Sequence, residues 1–230
     1  MMRRIFCLYL IAFFTICWLP VQSQNQTSDI GNFYPVLQSH AAKENSSLSY
    51  LNSKHRNTEK WRKEAKGKMQ ELLAYSPAPV PLQSEVISTT KRDGYTQYLV
   101  RYNVSAQQQT EAFLLIPDNL TKPAPAVIAL HDHGGFYFYG KEKHTLSDDQ
   151  PEVLKTYIQN LYEGRTYADE LAKRGFIVLS PDAPYFGSQK LDPDQVNEDL
   201  TKNYRKQLTG DRNADIMAFN KFANGHEAAI

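Results

Sequence analysis

The apolar pattern of the chain predicts an α/β fold: antiparallel opening strands, then a parallel strand–helix–strand unit, the whole preceded by an N-terminal helix. Three observations carry this. Segments 85–90, 95–104 and 111–116 alternate apolar and polar side chains with strand period. Residues 126–130 and 176–179 are unbroken apolar runs, the pattern of strands buried on both faces. Between those runs, residues 166–174 have helical spacing, with Tyr167, Leu171 and Ala172 on one side. Strand, helix and strand in that order form a parallel unit.

Arg3 and Arg4 precede an almost unbroken apolar run over residues 5–19, which Pro20 ends. That is the layout of a secretory signal peptide, and it is short and wrongly flanked for a membrane span. Val21-Gln22-Ser23 offers small or modest side chains at the positions a signal peptidase reads, so residues 1–23 are expected to be removed. An uncleaved anchor is the alternative. The expected location is secreted or periplasmic, with no stable membrane anchor after cleavage. Both cysteines, Cys7 and Cys17, lie inside this segment, so the mature chain would have neither a disulfide nor a cysteine nucleophile.

Residues 24–82 read as a polar leader and a helical extension. Up to about residue 50 the chain is rich in Ser, Asn and Gln, as a loose segment would be. From 54 to 75, Trp61, Ala65, Met69, Leu72 and Leu73 recur at helical spacing, and the prolines between 77 and 81 end the helix. Residues 83–230 are expected to hold the α/β domain. Arg92-Asp93-Gly94 supplies a hairpin turn, Gly175 ends the helix at 166–174, and further helices are expected at 194–208 and 214–223. Asn25, Asn45, Asn103 and Asn119 are glycosylation sequons if the host is eukaryotic, and ordinary surface asparagines otherwise.

Charge is nearly balanced, with 26 Lys+Arg against 25 Asp+Glu, so no basic excess points to nucleic acid. The sharpest chemical feature is His131-Asp132-His133-Gly134-Gly135, directly after the first apolar run. Ligands of open α/β sheets bind at the carboxyl ends of strands. Paired glycines let backbone approach a ligand, and such a loop can aim N–H groups at a developing oxyanion. A tight turn with a core histidine is the plainer alternative. The aromatic run Phe136-Tyr137-Phe138-Tyr139, with Tyr157, Tyr162 and Tyr185, suits a pocket for sugar or aryl groups or, equally, packing of the long connection over 136–165.

A second stretch, from Tyr167 through Gly175-Phe176-Ile177-Val178-Leu179 to Asp182, Gly187 and Ser188, completes a pattern. The two stretches together resemble the α/β-hydrolase superfamily, within it the secreted dienelactone-hydrolase-like and acetyl-xylan-esterase-like branch. The resemblance covers about residues 83–188 and implies the N-terminal half of an α/β-hydrolase fold. It implies an oxyanion-hole loop at His131, Asp132, His133, Gly134, Gly135 and Phe136, with the His133 amide the first choice of donor and those of Gly134 to Phe136 the next. Asp132 stands where the family has glycine. Asp182 and Gly187 match a loop whose role in the family is mainly structural. The implied nucleophile motif, Gly-x-Ser-x-Gly, is missing: none of the 11 glycines is followed two residues later by serine. Acid and base histidine follow the nucleophile in such chains, so all three are expected beyond Ile230, and His226 comes too early to be the base.

The function expected is therefore the front part of a secreted serine ester hydrolase acting on a small-molecule or carbohydrate ester, without cofactor and inactive by itself. A noncatalytic module binding a carbohydrate or ester is one alternative. A metal-dependent hydrolase using His131 and His133, with Asp132 and His144 nearby, is another.

Overall fold

The computed structural model describes residues 30–43, 47–51, 56–74, 77–118 and 120–227. The expected signal segment, the cysteines, Asn25, Asn45 and Asn119 lie outside the described residues. The chain divides into two compact units, Met1–Tyr75 and Ser76–Ile230.

In the first unit a 3-10 turn, Gly31–Phe33, leads into helix α1, Tyr34–Lys43. The loose leader expected up to about residue 50 is thus partly helical. Within 34–43 the only such residues are Gln38 and Ser39, beside Leu37, Ala41, Ala42 and Lys43, so this stretch favours a helix more than the leader as a whole does. Helix α2, Thr58–Leu73, begins where the Asn57 side chain accepts the Lys60 N–H at 3.0 Å and ends at Ala74 in the left-handed region. The Trp61 indole donates to the Leu48 carbonyl and its ring meets Tyr50 at 4.8 Å. No α2 side chain is buried, and Leu72 and Leu73 are mostly exposed. The apolar spacing therefore marks a stripe that is uncovered among the described residues.

The second unit is built on one mixed sheet of five strands: β1, Glu85–Arg92; β2, Tyr95–Asn103; β3, Gln109–Pro117; β4, Ala126–Ile128; and β5, Ile177–Pro181. The spatial order is β1-β2-β3-β5-β4. The first three strands pair antiparallel, β3 also pairs antiparallel with β5, and β5 pairs parallel with β4. The hairpin turn is Asp93-Gly94, where Gly94 takes a positive φ of 82° that L side chains avoid. This is the α/β arrangement the apolar pattern predicts. Asn103, at the end of β2, holds the Pro81 carbonyl and the Gln83 side chain through its amide and accepts from Gln109. It acts as a local brace.

Helices α3, Glu152–Tyr162, and α4, Tyr167–Lys173, fall in the β4–β5 crossover, and α5, Glu198–Arg205, and α6, Arg212–His226, follow β5. One sheet face is the core: Tyr95, Leu115, Ala129 and Val178 pack against Ala168 and Ala172 of α4. The small alanines let the helix lie close to the strands. The Tyr95 hydroxyl bonds Asp169, whose other oxygen accepts the Leu146 N–H at 2.7 Å.

The other face departs from the expectation of strands buried on both sides. Strand β4 is short and at the sheet edge, and Ile128 and Leu130 are each 67% exposed. In β5 only Val178 and Ser180 are fully buried. Leu82, Val86, Val100, Tyr102, Leu114 and Leu179 line an open apolar groove of about 500 Å³. An apolar run reports that a strand can be covered twice; coverage itself depends on what packs there, and α4 covers one face only.

Leu115 and Leu73 test this division of labour. Leu115→Ala is expected to lower stability by about 2–5 kcal/mol, because it leaves a cavity in a packed core. Leu73→Ala, on the uncovered α2 stripe, is expected to change it by less than about 0.5 kcal/mol. Urea unfolding of both variants measures the difference, and equal losses would contradict the core assignment.

Candidate active site

The segment after β4 carries the predicted loop. The Asp132 carbonyl accepts from His131 Nδ1 at 2.9 Å, while His131 Nε2 accepts the Ala183 N–H at 3.0 Å. These two bonds fix the neutral Nδ1–H tautomer. Burial pushes the His131 pKa down, against the raising effect of its bond to Asp132. His131 thus ties the loop after β4 to the loop after β5.

Asp132 has its own explanation. Its carboxylate accepts from the hydroxyls of Tyr157 and Tyr162, both on α3. Burial pushes this carboxyl up, but the two phenols and Lys143 outweigh it and hold it below the usual range. Asp132 is not among the residues with positive φ, so the aspartate in the family's glycine position brings no left-handed strain. It draws α3 onto the loop. Gly134 sits beneath this contact: its φ is +49°, and an added Cβ would overlap the Tyr157 hydroxyl and the Asp132 carboxylate. Gly135, at φ +65°, completes a turn that the Phe136 N–H closes on the His133 carbonyl at 3.3 Å.

His133 is largely exposed. Its Nδ1 accepts the Gly135 N–H at 3.1 Å and its Nε2 donates to Glu227 at 2.6 Å. Tyr137 also donates to Glu227, at 2.8 Å. The His133 bond and then the Tyr137 bond hold the Glu227 carboxyl below its ordinary range. The Gly135 and Phe136 N–H groups are therefore engaged within the loop. The His133 and Gly134 N–H groups have no acceptor among the described residues.

Several residues of this site carry no motif in the sequence. Lys143, fully buried, donates from Nζ to the Asp132 carbonyl at 2.9 Å and the His133 carbonyl at 3.1 Å, with the Phe186 ring 4.4 Å away. Lys141, also buried, pairs with Asp182 at 2.8 Å, and its backbone N–H meets the same carboxylate at 2.7 Å. Asp182 further accepts the Ser188 N–H at 2.8 Å, and Ser188 Oγ accepts the Glu111 N–H at 3.0 Å. Gly187 has φ +55° and abuts the Asp182 carboxylate where a Cβ would overlap it. Asp182, Gly187 and Ser188 thus lock the loop after β5 to β3 and to the 3-10 turn Lys141–Lys143. No local signal marks the two lysines: they lie inside the long connection after β4, and their partners are distant in sequence.

Of the two readings open for the aromatic run, packing is the one found: Phe136, Tyr137 and Tyr139 are buried, and Phe136 stacks on Tyr157 at 4.6 Å, so these rings form core and do not wall a sugar pocket. Nor do the histidines converge on an ion. His131 uses both ring nitrogens on backbone groups, and His144 is fully buried with Nε2 on Ser180 Oγ at 2.8 Å. Among the described residues no group of three His, Cys, Asp or Glu side chains is placed to hold a metal. Ser180 and His144, although paired, face the interior and cannot meet a substrate.

With this geometry in hand the comparisons are informative. The Abhydrolase family matches residues 31–185. A Bacillus subtilis (strain 168) protein named "Putative hydrolase YtaP" is 26% identical over 129 residues, covering 56% of this chain and 40% of that protein. The crystal structure of a "putative acetyl xylan esterase" from Bacteroides fragilis NCTC 9343 superposes with a TM-score of 0.53 at 19% identity, over 89% of this chain and 52% of that one. At that identity the likeness speaks for the fold. The chain spans about half or less of the length of these relatives.

Two outcomes follow from the site's electrostatics. Asp182→Asn leaves the buried Lys141 ammonium with only Glu142 and the more distant Glu111 and is expected to cost about 3–5 kcal/mol, measured by urea unfolding; a change below about 1 kcal/mol would contradict the pairing. Burial holds His144 down to about 4, and His131 is lowered as well. Between an unfolded value of about 6.5 and the folded values, the unfolded chain binds the extra protons, so stability falls as pH falls through that window. A thermal midpoint that drops from pH 6.5 toward 4, with a shallower drop in His144→Gln, is the expected result; a flat profile in the wild type would rule it out.

Proposed function

The chain belongs to the Abhydrolase family, and from that membership we propose that it supplies the oxyanion-binding part of a serine ester hydrolase. The observation that carries this reading is the pair of successive N–H groups, of His133 and Gly134, without an acceptor among the described residues, at the carboxyl end of a sheet strand. Preorganised donors of this kind stabilise a tetrahedral oxyanion by a few kcal/mol.

In the reaction proposed, a serine attacks the ester carbonyl, a histidine takes its proton, and the carbonyl oxygen moves into the two N–H groups as it gains charge. These 230 residues contain no Gly-x-Ser-x-Gly, so by themselves they are proposed not to turn over by this route. The substrate class proposed is a small-molecule or carbohydrate ester, a choice supported by the name of the Bacteroides fragilis structure. Export is proposed from Arg3, Arg4 and the apolar run over 5–19.

The test is an acetate titration of the purified chain followed by amide NMR. Acetate carries the charge and size of the expected oxyanion, so the His133 and Gly134 cross-peaks are expected to shift saturably, and those of Gly135 and Phe136 far less. No response at His133 and Gly134 would overturn the oxyanion reading. In parallel, p-nitrophenyl acetate should give no fluorophosphonate-sensitive turnover. Sensitive turnover would overturn the inactivity of these residues by themselves.

A further inference from the structure

The direction of an N–H group is set by the carbonyl on the other side of its peptide bond. In a trans peptide the two point in opposite directions within one plane, and no described peptide is cis. The Asp132 carbonyl and the His133 N–H share one peptide unit; the His133 carbonyl and the Gly134 N–H share the next. Lys143 Nζ bonds both carbonyls, at 2.9 and 3.1 Å. One cation therefore faces the inner side of two successive peptide units whose outer sides are the two N–H groups without acceptors among the described residues.

We propose that Lys143 is the positioning residue of the oxyanion loop: by holding the Asp132 and His133 carbonyls inward, its ammonium aims the His133 and Gly134 N–H groups outward. The proposal rests on the reading of this loop as an oxyanion cradle and extends it to a residue that touches neither substrate nor reacting atoms.

The surroundings favour a lysine that is both held and conditionally charged. The ammonium is fully buried, between the rings of Phe186 at 4.4 Å and Tyr157 at 5.6 Å. Burial pushes it down to about 8, against the Asp132, Asp182 and Glu142 carboxylates, which favour its charge. His131 and His144 beside it are held below the ordinary histidine value and are neutral there, and burial and the bond to Asp132 push the Tyr157 phenol up, so it stays protonated. A neutral amine donates more weakly than an ammonium. Loss of the proton slackens the hold on both carbonyls together. Lys141, two residues earlier, belongs to Asp182 and cannot take over the role.

The experiment reads the two peptide units directly. Carbon-detected NMR of the purified chain correlates the Asp132 carbonyl with the His133 nitrogen and the His133 carbonyl with the Gly134 nitrogen, and does not depend on slow amide exchange. Between pH 6 and 10 both carbonyl signals are expected to move upfield with one shared midpoint near 8, matching that of the Lys143 side-chain signals. Lys143→Arg, which stays charged, should keep both peaks near their low-pH positions throughout. Lys143→Met should displace both and abolish the midpoint.

Carbonyl signals that stay still while Lys143 titrates, or Lys143→Met spectra that overlay the wild type, would overturn the proposal. Should Lys143→Met not fold, the wild-type pH series and the Arg variant decide without it. Carbonyls that titrate with Lys143 while acetate moves neither amide would defeat the oxyanion reading and leave the positioning role standing.

Discussion

The second unit depends most on one buried carboxylate. Asp182, at the exit of β5, is the meeting point of three segments that are distant in sequence. Its carboxylate takes the Lys141 ammonium, the Lys141 N–H and the Ser188 N–H, while its backbone carbonyl takes the Thr110 hydroxyl and the Gln189 amide. A charge with no solvent contact is tolerated only when its oxygens are filled, and here they are filled by groups that fix the connection between β4 and α3. Because Lys141 is held, the 3-10 turn it opens is held, and Lys143 two residues on is delivered beneath the His131–Gly135 loop. The loop's shape is thus a consequence of ion pairing at the neighbouring strand end, as much as of its own glycines.

The histidine loop itself is held through two of its carbonyls, each of which accepts twice. The Asp132 carbonyl takes His131 and Lys143; the His133 carbonyl takes Lys143 and the Phe136 N–H. With the carbonyls engaged on the inside, the N–H groups remaining on the outside are a residue of the accounting and need no separate design. Asp132, where the sequence resemblance implies glycine, is met by two tyrosines of α3. That substitution exchanges backbone freedom for a side-chain tether. It also pins Gly134, where any side chain would collide with the tether.

Much of the fold was legible in the sequence, because alternation, apolar runs and turn glycines are local signals. The hairpin at Gly94, the order of the strands, the helix between β4 and β5 at Tyr167–Lys173 and the parallel pair β4–β5 follow from them, whereas α1 and α3 are not read from the sequence. The location of the loop was legible too, since histidine and paired glycines after a strand end are a compact motif. What was not legible depends on distant partners. Nothing near Lys143 in sequence says that it will bond carbonyls ten and eleven residues earlier, and nothing near Tyr157 and Tyr162 says that they will meet Asp132. The same limit explains the burial that differs. The run at 126–130 has the composition of a doubly covered strand, yet Ile128 and Leu130 stand open; the aromatic run at 136–139 suits a pocket wall and core packing equally, and three of its four rings are core. Composition states what a segment could bury, and packing decides which face is covered.

The electrostatics of the loop constrain how such a site could act. A buried ammonium behind an oxyanion cradle suggests stabilisation by net positive charge, but Asp132 stands beside Lys143, tethered by two phenols and held ionised. Seen from the outer side of the loop the two charges largely cancel, and the Asp182–Lys141 pair cancels in the same way. What remains directed outward is the dipole of two peptide units. Dipoles fixed in place before the reaction need no reorganisation as charge develops, and they act only at short range. On the proposed reading, then, the lysine contributes through geometry: it polarises and orients two peptides whose N–H ends face an incoming oxygen. An anion at a distance would feel little attraction, whereas an oxygen seated against the His133 and Gly134 N–H groups would feel both. Such a site favours the charge distribution of a transition state over the long-range capture of any negatively charged molecule, which suits a neutral ester as the substrate.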